Sequence, residues 1–287
     1  MSEHVKIGFI GLGNQGAPIA KRLVEWPGGL TVYDIRTEAM TPLAEAGASV
    51  ADSVADVAQA DLVHIVVLND AQVREVVGEL ATDAKPGTII AIHSTISPDT
   101  AVELAERFRP AGVHIVDAPV SGGDRAAKKG ELAVMVGADD AAFAAVQEPF
   151  SRWASLIVHA GEPGAGTRMK LARNMLHFTS FVAACEALQL AAAAGVSLQD
   201  LGNVVRHSDK QTGGAGMVMF RDDAEPLTPD HFLYQPFLHT RALGEKDLGL
   251  ALALADELNI DLPLARLAMQ NLAEGLGVPH NASTAKE

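Results

Sequence analysis

Val5-Lys-Ile-Gly-Phe-Ile-Gly11-Leu-Gly13-Asn-Gln-Gly16 is a short apolar run that breaks on three spaced glycines, and its reading decides the fold. A helical pattern follows from Ala17 to Glu25, then a second apolar run, Leu30-Thr-Val-Tyr33, that ends in Asp34. Strand, glycine turn, helix, strand and acid in this order make a dinucleotide-binding unit. Gly11 permits a tight turn, Gly13 lets the backbone approach a pyrophosphate, and Gly16 lets the helix lie close to its strand. The N–H groups of Leu12, Asn14 and Gln15 and the start of the helix then face the phosphate charge. A glycine-rich turn with no ligand is the plainer alternative, but it does not require the flanking strand and helix or the acid. Asp34 is suited to accept hydrogen bonds from an adenosine ribose and to repel a 2′-phosphate, which favours NAD. Arg36 nearby could instead accommodate that phosphate, so NADP stays open.

Further along, the α/β rhythm continues. Leu62 to Leu68 reads as a buried strand running into Asn69-Asp70, and Gly87 to Ile92 as another running into His93-Ser94-Thr95. Val113 to Val116 leads to Asp117-Ala-Pro-Val-Ser121-Gly122-Gly123, and Leu132–Val136 and Leu156–Val158 follow. With helical patterns between the early strands, this predicts a doubly wound sheet whose ligand lies at the carboxyl ends of the strands. Leu68, Asn69, Ser94, Thr95 and Ser121 all fall there. Ser121, Gly122 and Gly123 could give a hydroxyl and unhindered N–H groups to a carboxylate, although the same residues also make a plain turn. His93 reads either as a neighbour of the nicotinamide or as a satisfied histidine at a strand end.

The stretch Gly164-Ala-Gly-Thr-Arg-Met-Lys170-Leu-Ala-Arg-Asn174 starts a helical pattern that runs to about Ala194. A helix puts Lys170 and Asn174 on one face, one turn apart. Near a helix start the macrodipole disfavours a positive charge, so a lysine there has a lowered pKa and can serve as a general acid or base. The bland alternative is a solvated lysine and an ordinary asparagine. Beyond Asn174 the pattern is helical with interruptions: Leu198–His207, loops around Gln211–Gly216 and Pro226–Pro229, a helix from Glu245, and Pro263–Leu276.

Composition sets the outer bounds. The 287 residues suffice for one large domain or two modest ones, and 48% apolar with 20% charged residues suits a folded chain. The net charge of −14 speaks against nucleic acid or an anionic membrane as partner. The single cysteine, Cys185, excludes an intrachain disulfide and sits in a helical run where buried packing is expected. With no signal-peptide pattern and no apolar stretch that looks long and charge-free enough to span a membrane, the cytoplasm is the expected location. No metal-ligand spacing is found among the ten histidines. The sequon Asn281-Ala-Ser283 has no meaning in an intracellular tail, and the last several residues are expected to be disordered.

Four motifs in order (Gly11-x-Gly13-x-x-Gly16, Asp117-Ala-Pro-Val-Ser121-Gly122-Gly123, Lys170-x-x-x-Asn174 and Lys246-Asp247) make nearly the whole chain resemble the β-hydroxyacid dehydrogenases. The likeness is strongest to the 3-hydroxyisobutyrate dehydrogenase group and its semialdehyde-reducing relatives. The resemblance implies an N-terminal Rossmann-type domain over residues 1–162, followed by an all-α domain over 163–287 that begins with a long interdomain helix and builds dimers or tetramers. It implies Lys170 as acid/base and Asn174 as substrate orienter. It also implies a carboxylate site at Ser121, Gly122 and Gly123, Thr95 near the nicotinamide ribose, and Lys246 closing over the cofactor. The partner implied is a small hydroxy acid. Arg173 and Met175 stand where the longer 6-phosphogluconate dehydrogenases have His and Gly, which speaks against a phosphogluconate substrate. Lys170 speaks against the imine reductases, which share the fold without the lysine. Asp209–Glu225, in the region that helps line the family's substrate pocket, matches poorly. Two rival readings are an NADPH-dependent reductase of tartronate or succinic semialdehyde type and a non-catalytic dinucleotide sensor.

Overall fold

The computed structural model describes residues 5–280. The sequon at Asn281 and the expected disorder of the final residues lie outside them. The chain divides into two compact units, Met1–Asn174 and Met175–Glu287, and the division falls inside a long helix.

In the first unit, strands and helices alternate: β1 (Ile7–Ile10), α1 (Gly16–Lys21), β2 (Leu30–Tyr33), α2 (Thr37–Glu45), β3 (Ser49–Val50), α3 (Val54–Val57), β4 (Leu62–Ile65), α4 (Asp70–Asp83), β5 (Ile89–Ile92), α5 (Pro98–Phe108) and β6 (His114–Asp117). The strand order β3-β2-β1-β4-β5-β6 is parallel throughout, with Ile7 opposite both Leu30 and Leu62. This is the doubly wound arrangement expected from the sequence. β7 (Val120–Ser121), α6 (Gly123–Lys129), β8 (Leu132–Gly137), α7 (Asp140–Ser151) and β9 (Ala154–Gly161) extend it. β8 runs antiparallel to β6 and β7 and parallel to β9. The central strands are buried on both faces, which is why they read as unbroken apolar runs. Successive residues go to opposite layers. Phe9 joins Ile19, Leu23, Val116 and Trp153 on one side. Ile10 joins Val63, Val77, Ile90 and Leu104 on the other.

α8 (Ala165–Ala193) carries the chain into the second unit, where α9 (Leu198–Thr212), α10 (Tyr234–Glu257) and α11 (Pro263–Gly275) follow, with a short 3-10 turn at Gly214–Val218. α9 runs past His207 and stops where Gly213 turns left-handed (φ 84°). α10 begins well before Glu245: Gly244 is a packing residue, not a breaker, because a Cβ there would collide with Leu272 of α11. The unit buries two small clusters, Phe237 with Leu276 and Val278, and Leu252 with Ala255 and Leu262.

Two expectations are corrected in α8. Among the described residues it is the one helix long and apolar enough, by length and composition, to cross a membrane. Residues 175–192 hold a single charge, Glu186. That glutamate is buried and accepts hydrogen bonds from the N–H groups of Leu264 (2.7 Å) and Ala265 (2.9 Å) at the start of α11, a contact made within protein. Cys185, expected to be buried, is exposed, as are Phe178, Phe181, Val182 and Leu188 on the same helix. An alanine-rich helix looks like core in sequence, but among the described residues this part of α8 is exposed.

Candidate active site

At the carboxyl edge of the parallel sheet the glycine turn leaves β1. Gly11 has φ 91° and no room for a side chain, since a Cβ would collide with the carbonyl of Val66, the residue after β4. A Cβ on Gly16 would strike the Gly11 carbonyl, whereas Gly13 faces open space. The first and third glycines close the turn, and the second leaves backbone free for a ligand's approach. Asn14 and Gln15 are exposed, and no side chain caps α1.

Asp34 ends β2 and is buried. Its Oδ2 accepts the Leu12 N–H at 2.7 Å, and its Oδ1 accepts from the N–H (2.9 Å) and Nε (3.2 Å) of Arg36. Burial alone would raise this carboxyl's pKa, but those donors outweigh it and hold it below the ordinary range. The acid therefore ties the glycine turn to the end of β2. Arg36 folds onto Asp34 from a half-exposed position. Leu68 and Ile35 are almost fully exposed, one after β4 and one after β2. Of these two, Leu68 is among the residues singled out from the sequence, and Ile35, next to Asp34, is not. Asn69 caps α4, its Oδ1 accepting the Gln72 N–H at 3.0 Å. Ser94 is committed to structure through Val67, and Thr95 after it is exposed.

His93 turns inward. Its Nδ1 lies 2.7 Å from the Ala118 carbonyl and its Nε2 2.8 Å from Nδ1 of His64, among the rings of Phe9, Phe150 and Trp153. The carbonyl requires Nδ1–H on His93, which makes Nε2 the acceptor and His64 the donor. Burial lowers the His93 pKa to about 4 and also depresses that of His64. Of the two readings of His93, the satisfied histidine holds.

Past β6 the chain returns to the same edge. Asp117 is fully buried, and its carboxylate accepts the N–H groups of Gly164 and Thr167, both at 2.6 Å, at the start of α8. One turn further, Lys170 is buried and its Nζ donates to the Val120 carbonyl at 2.6 Å. Ser121 follows Val120 directly, then Gly122 (φ 134°) and Gly123 (φ 68°), conformations open to glycine. Lys170 and the Ser121-Gly122-Gly123 segment are thus brought together. The Lys170 pKa is lowered, first by burial and second by the nearby Arg173 charge. The direction is the one expected from sequence, but its leading cause is desolvation rather than the helix start. Asn174 lies one turn along and accepts Arg173 Nη1 at 3.2 Å. Lys246 belongs to the second unit, on α10, where it is exposed and pairs with Asp247 at 2.9 Å.

A glycine turn closed by Gly11 and Gly16 and open at Gly13, with a carboxylate at the end of β2, fits a nicotinamide dinucleotide. A buried lysine beside a serine–glycine turn on the same edge adds a proton-handling group. Fold and site together define an oxidoreductase using NAD or NADP. Comparison with known proteins agrees. Residues 6–161 match the NAD binding domain of 6-phosphogluconate dehydrogenase, and residues 164–283 match the NAD-binding domain of NADP-dependent 3-hydroxyisobutyrate dehydrogenase. An uncharacterized oxidoreductase of Mycobacterium tuberculosis is 64% identical over 99% of this chain and 98% of its own length. The crystal structure of a Mycobacterium avium 104 oxidoreductase, whose substrate is not named, is 69% identical with a TM-score of 0.94, covering 96% of this chain and 100% of the other. The structure of Mycobacterium tuberculosis 3-hydroxyisobutyrate dehydrogenase with L-serine is 30% identical with a TM-score of 0.68, covering 94% and 93%. The chain belongs to the 3-hydroxyisobutyrate dehydrogenase-like family of β-hydroxyacid dehydrogenases.

Proposed function

We propose that this protein catalyses reversible hydride transfer between NAD and the hydroxyl carbon of a small 3-hydroxy acid, with Lys170 as the acid/base. The observation that carries this is the buried Lys170 Nζ, held 2.6 Å from the Val120 carbonyl beside Ser121. When bound, the nicotinamide supplies the hydride acceptor or donor, and the chain's own residues do the rest. A neutral Nζ that donates one N–H to Val120 keeps its lone pair free to take the hydroxyl proton, and returns that proton in the reducing direction. Ser121 with the N–H groups of Gly122 and Gly123 holds the carboxylate, and Asn174 orients the hydroxyl. The dinucleotide is held by the glycine turn, by Asp34 at the adenosine ribose, by Ile35 and Leu68 on apolar surface, and by Asn69 and Thr95. Asp34 favours NAD, because its carboxylate repels a 2′-phosphate. Arg36 is the feature that would favour NADP if it released Asp34.

A second reading of the substrate rests on one comparison. In Mycobacterium tuberculosis the 64% identical relative exists alongside a separate 3-hydroxyisobutyrate dehydrogenase that is only 30% identical to this chain. A different 3-hydroxy acid, or reduction of a semialdehyde acid, fits that division. We also propose that the chain works as a homodimer or homotetramer, supported by the uncovered apolar residues of α8.

The test is the initial rate with NAD and NADP separately on 3-hydroxyisobutyrate, glycerate, 4-hydroxybutyrate and 3-hydroxypropionate. One acid should give a clear rate that falls at least about 100-fold in Lys170→Ala, the lower end of a general base's usual contribution. Near wild-type turnover in Lys170→Ala would remove the lysine from the mechanism. Cofactor binding without turnover on any hydroxy acid or semialdehyde would favour the sensor.

A further inference from the structure

Lys170 is only as well aimed as the start of its helix, where the Ala165 N–H meets the Glu162 carbonyl at 2.9 Å but no acidic residue lies in the first turn of α8. The cap comes from nearly 50 residues upstream. Asp117 Oδ1 accepts the Gly164 N–H and Oδ2 accepts the Thr167 N–H, each at 2.6 Å, with the carboxylate fully buried. Two of the helix's otherwise unpaired N–H groups are satisfied by one anion, which also opposes the positive end of the helix. The fit leaves no slack. A Cβ on Gly137 would collide with Asp117 Oδ1, and a Cβ on Gly166 would collide with the carbonyls of Met135 and Asp117. Three residues on from Asp117, the Val120 carbonyl accepts a hydrogen bond from Lys170 Nζ. The connection from β6 to β7 therefore holds α8 at two points, its first turn and its lysine, and continues straight into Ser121-Gly122-Gly123.

We propose that Asp117 is the positioning residue of this active site. By capping α8 it fixes where Lys170 Nζ sits relative to the carboxylate-binding turn. Asp117 touches neither substrate nor cofactor in this role. The inference rests on the proposed acid/base role of Lys170 for its kinetic consequence, but its structural content stands apart from that reading.

The test uses the full-length protein and Asp117→Asn, which keeps the shape but can accept only one of the two N–H groups. With the best hydroxy acid, kcat should fall about 10- to 100-fold, as expected for a misplaced catalytic group. KM for the acid and Kd for the dinucleotide should stay within about 3-fold, and circular dichroism should be unchanged. Alongside, acetic anhydride labelling of the amines followed by peptide mass spectrometry reads Lys170 without any turnover. Lys170 should react much more slowly than exposed Lys85 in the wild type, and at least about 5-fold faster than its own wild-type rate in Asp117→Asn. Gly164→Ala attacks the same cap from the helix side, because that residue has φ 93°, and serves if the aspartate variant does not fold. It should reproduce both effects. An unchanged kcat with unchanged labelling in a folded variant overturns the proposal, as does a loss of activity that merely tracks the unfolded fraction. If no hydroxy acid is turned over by the wild type, the proposed function fails, and the labelling alone still decides the role of Asp117.

Discussion

At the level of single residues, Lys170 illustrates what a sequence can and cannot disclose. The spacing of Lys170 and Asn174 and the glycines before them mark a helix start with chemistry on one face, so the candidates were legible. The cause of the lysine's altered acidity was not, because burial is a property of the folded neighbourhood. Nor was the role of Asp117, since a cap supplied from nearly 50 residues away leaves no local pattern. Arg173 is a further neighbour whose effect appears only in three dimensions. Its charge lowers the Lys170 pKa after burial has done so. Replacing it by glutamine removes that contribution, so the lysine should hold its proton to higher pH. The rising limb of kcat/KM for hydroxy-acid oxidation, which needs a neutral Nζ, should therefore move to higher pH in Arg173→Gln. A limb that stays put or moves down would show that Arg173 does not act on the base. The buried histidines give a second residue-scale prediction, this time for stability. His93 titrates at about 4 in the folded chain against 6.5 when unfolded, so the unfolded chain binds the proton first. Its contribution to stability is complete above about pH 6.5 and is lost as pH falls towards 4, on the order of 3 kcal/mol for this group. Calorimetry from pH 7.5 to 4.5 should show a steady fall in Tm through this window, and a flat profile would mean that the pair is not held neutral.

Elements were read best where local chemistry and tertiary packing agree. β2 was bounded correctly because Leu30–Tyr33 lies between Gly29, which has a left-handed backbone, and an acid engaged by the glycine turn. α10 begins at Tyr234 rather than at Glu245, and Gly244 lies inside it, where it makes room for Leu272. α11 shows a related blindness. It opens on Leu262 and Pro263 with no side-chain cap of its own. Proline at the first position leaves the next N–H groups to be satisfied, and Glu186 of α8 accepts them from Leu264 and Ala265. A buried carboxylate doing the work of an N-cap is worth about 1–3 kcal/mol when removed, because two N–H groups lose their partner at once. Glu186→Ala should destabilise the helical unit by that amount in urea titration. It should leave the dinucleotide affinity of the first unit within about 2-fold. A change below about 0.5 kcal/mol, the scale of ordinary surface substitutions, would show that water replaces the cap at no cost.

For the molecule as a whole, the two units differ in how well each is stabilised from within. The first buries both faces of a sheet, whereas the second buries two clusters of three residues each and leaves Phe178, Phe181, Val182, Val204 and Phe220 exposed. The alternation of strands and helices made the first legible. The second was legible only as helices, because nothing in its patterns says which apolar residues are covered by the same chain. Phe178 and Phe181 cluster with His177, their ring centroids 4.3–5.9 Å apart. An exposed apolar ring cluster of this kind is costly to leave in water and is characteristic of the centre of an interface. Opposing association is the net charge of −14 on each copy. That repulsion is screened within about 8 Å at physiological ionic strength, while apolar burial is not weakened by salt. Self-association through α8 should therefore hold or tighten as salt rises, the opposite of an ion-paired interface. Light scattering on the size-exclusion peak should give a multiple of the 30.0 kDa chain at 50 mM and at 500 mM NaCl. Phe181→Glu, which places another negative charge at the centre of the apolar face, should shift the peak towards the single chain, most strongly at low salt, and lower Tm. A 30.0 kDa mass for the wild type at micromolar concentration would refute self-association, and dissociation by 500 mM NaCl would refute its apolar origin.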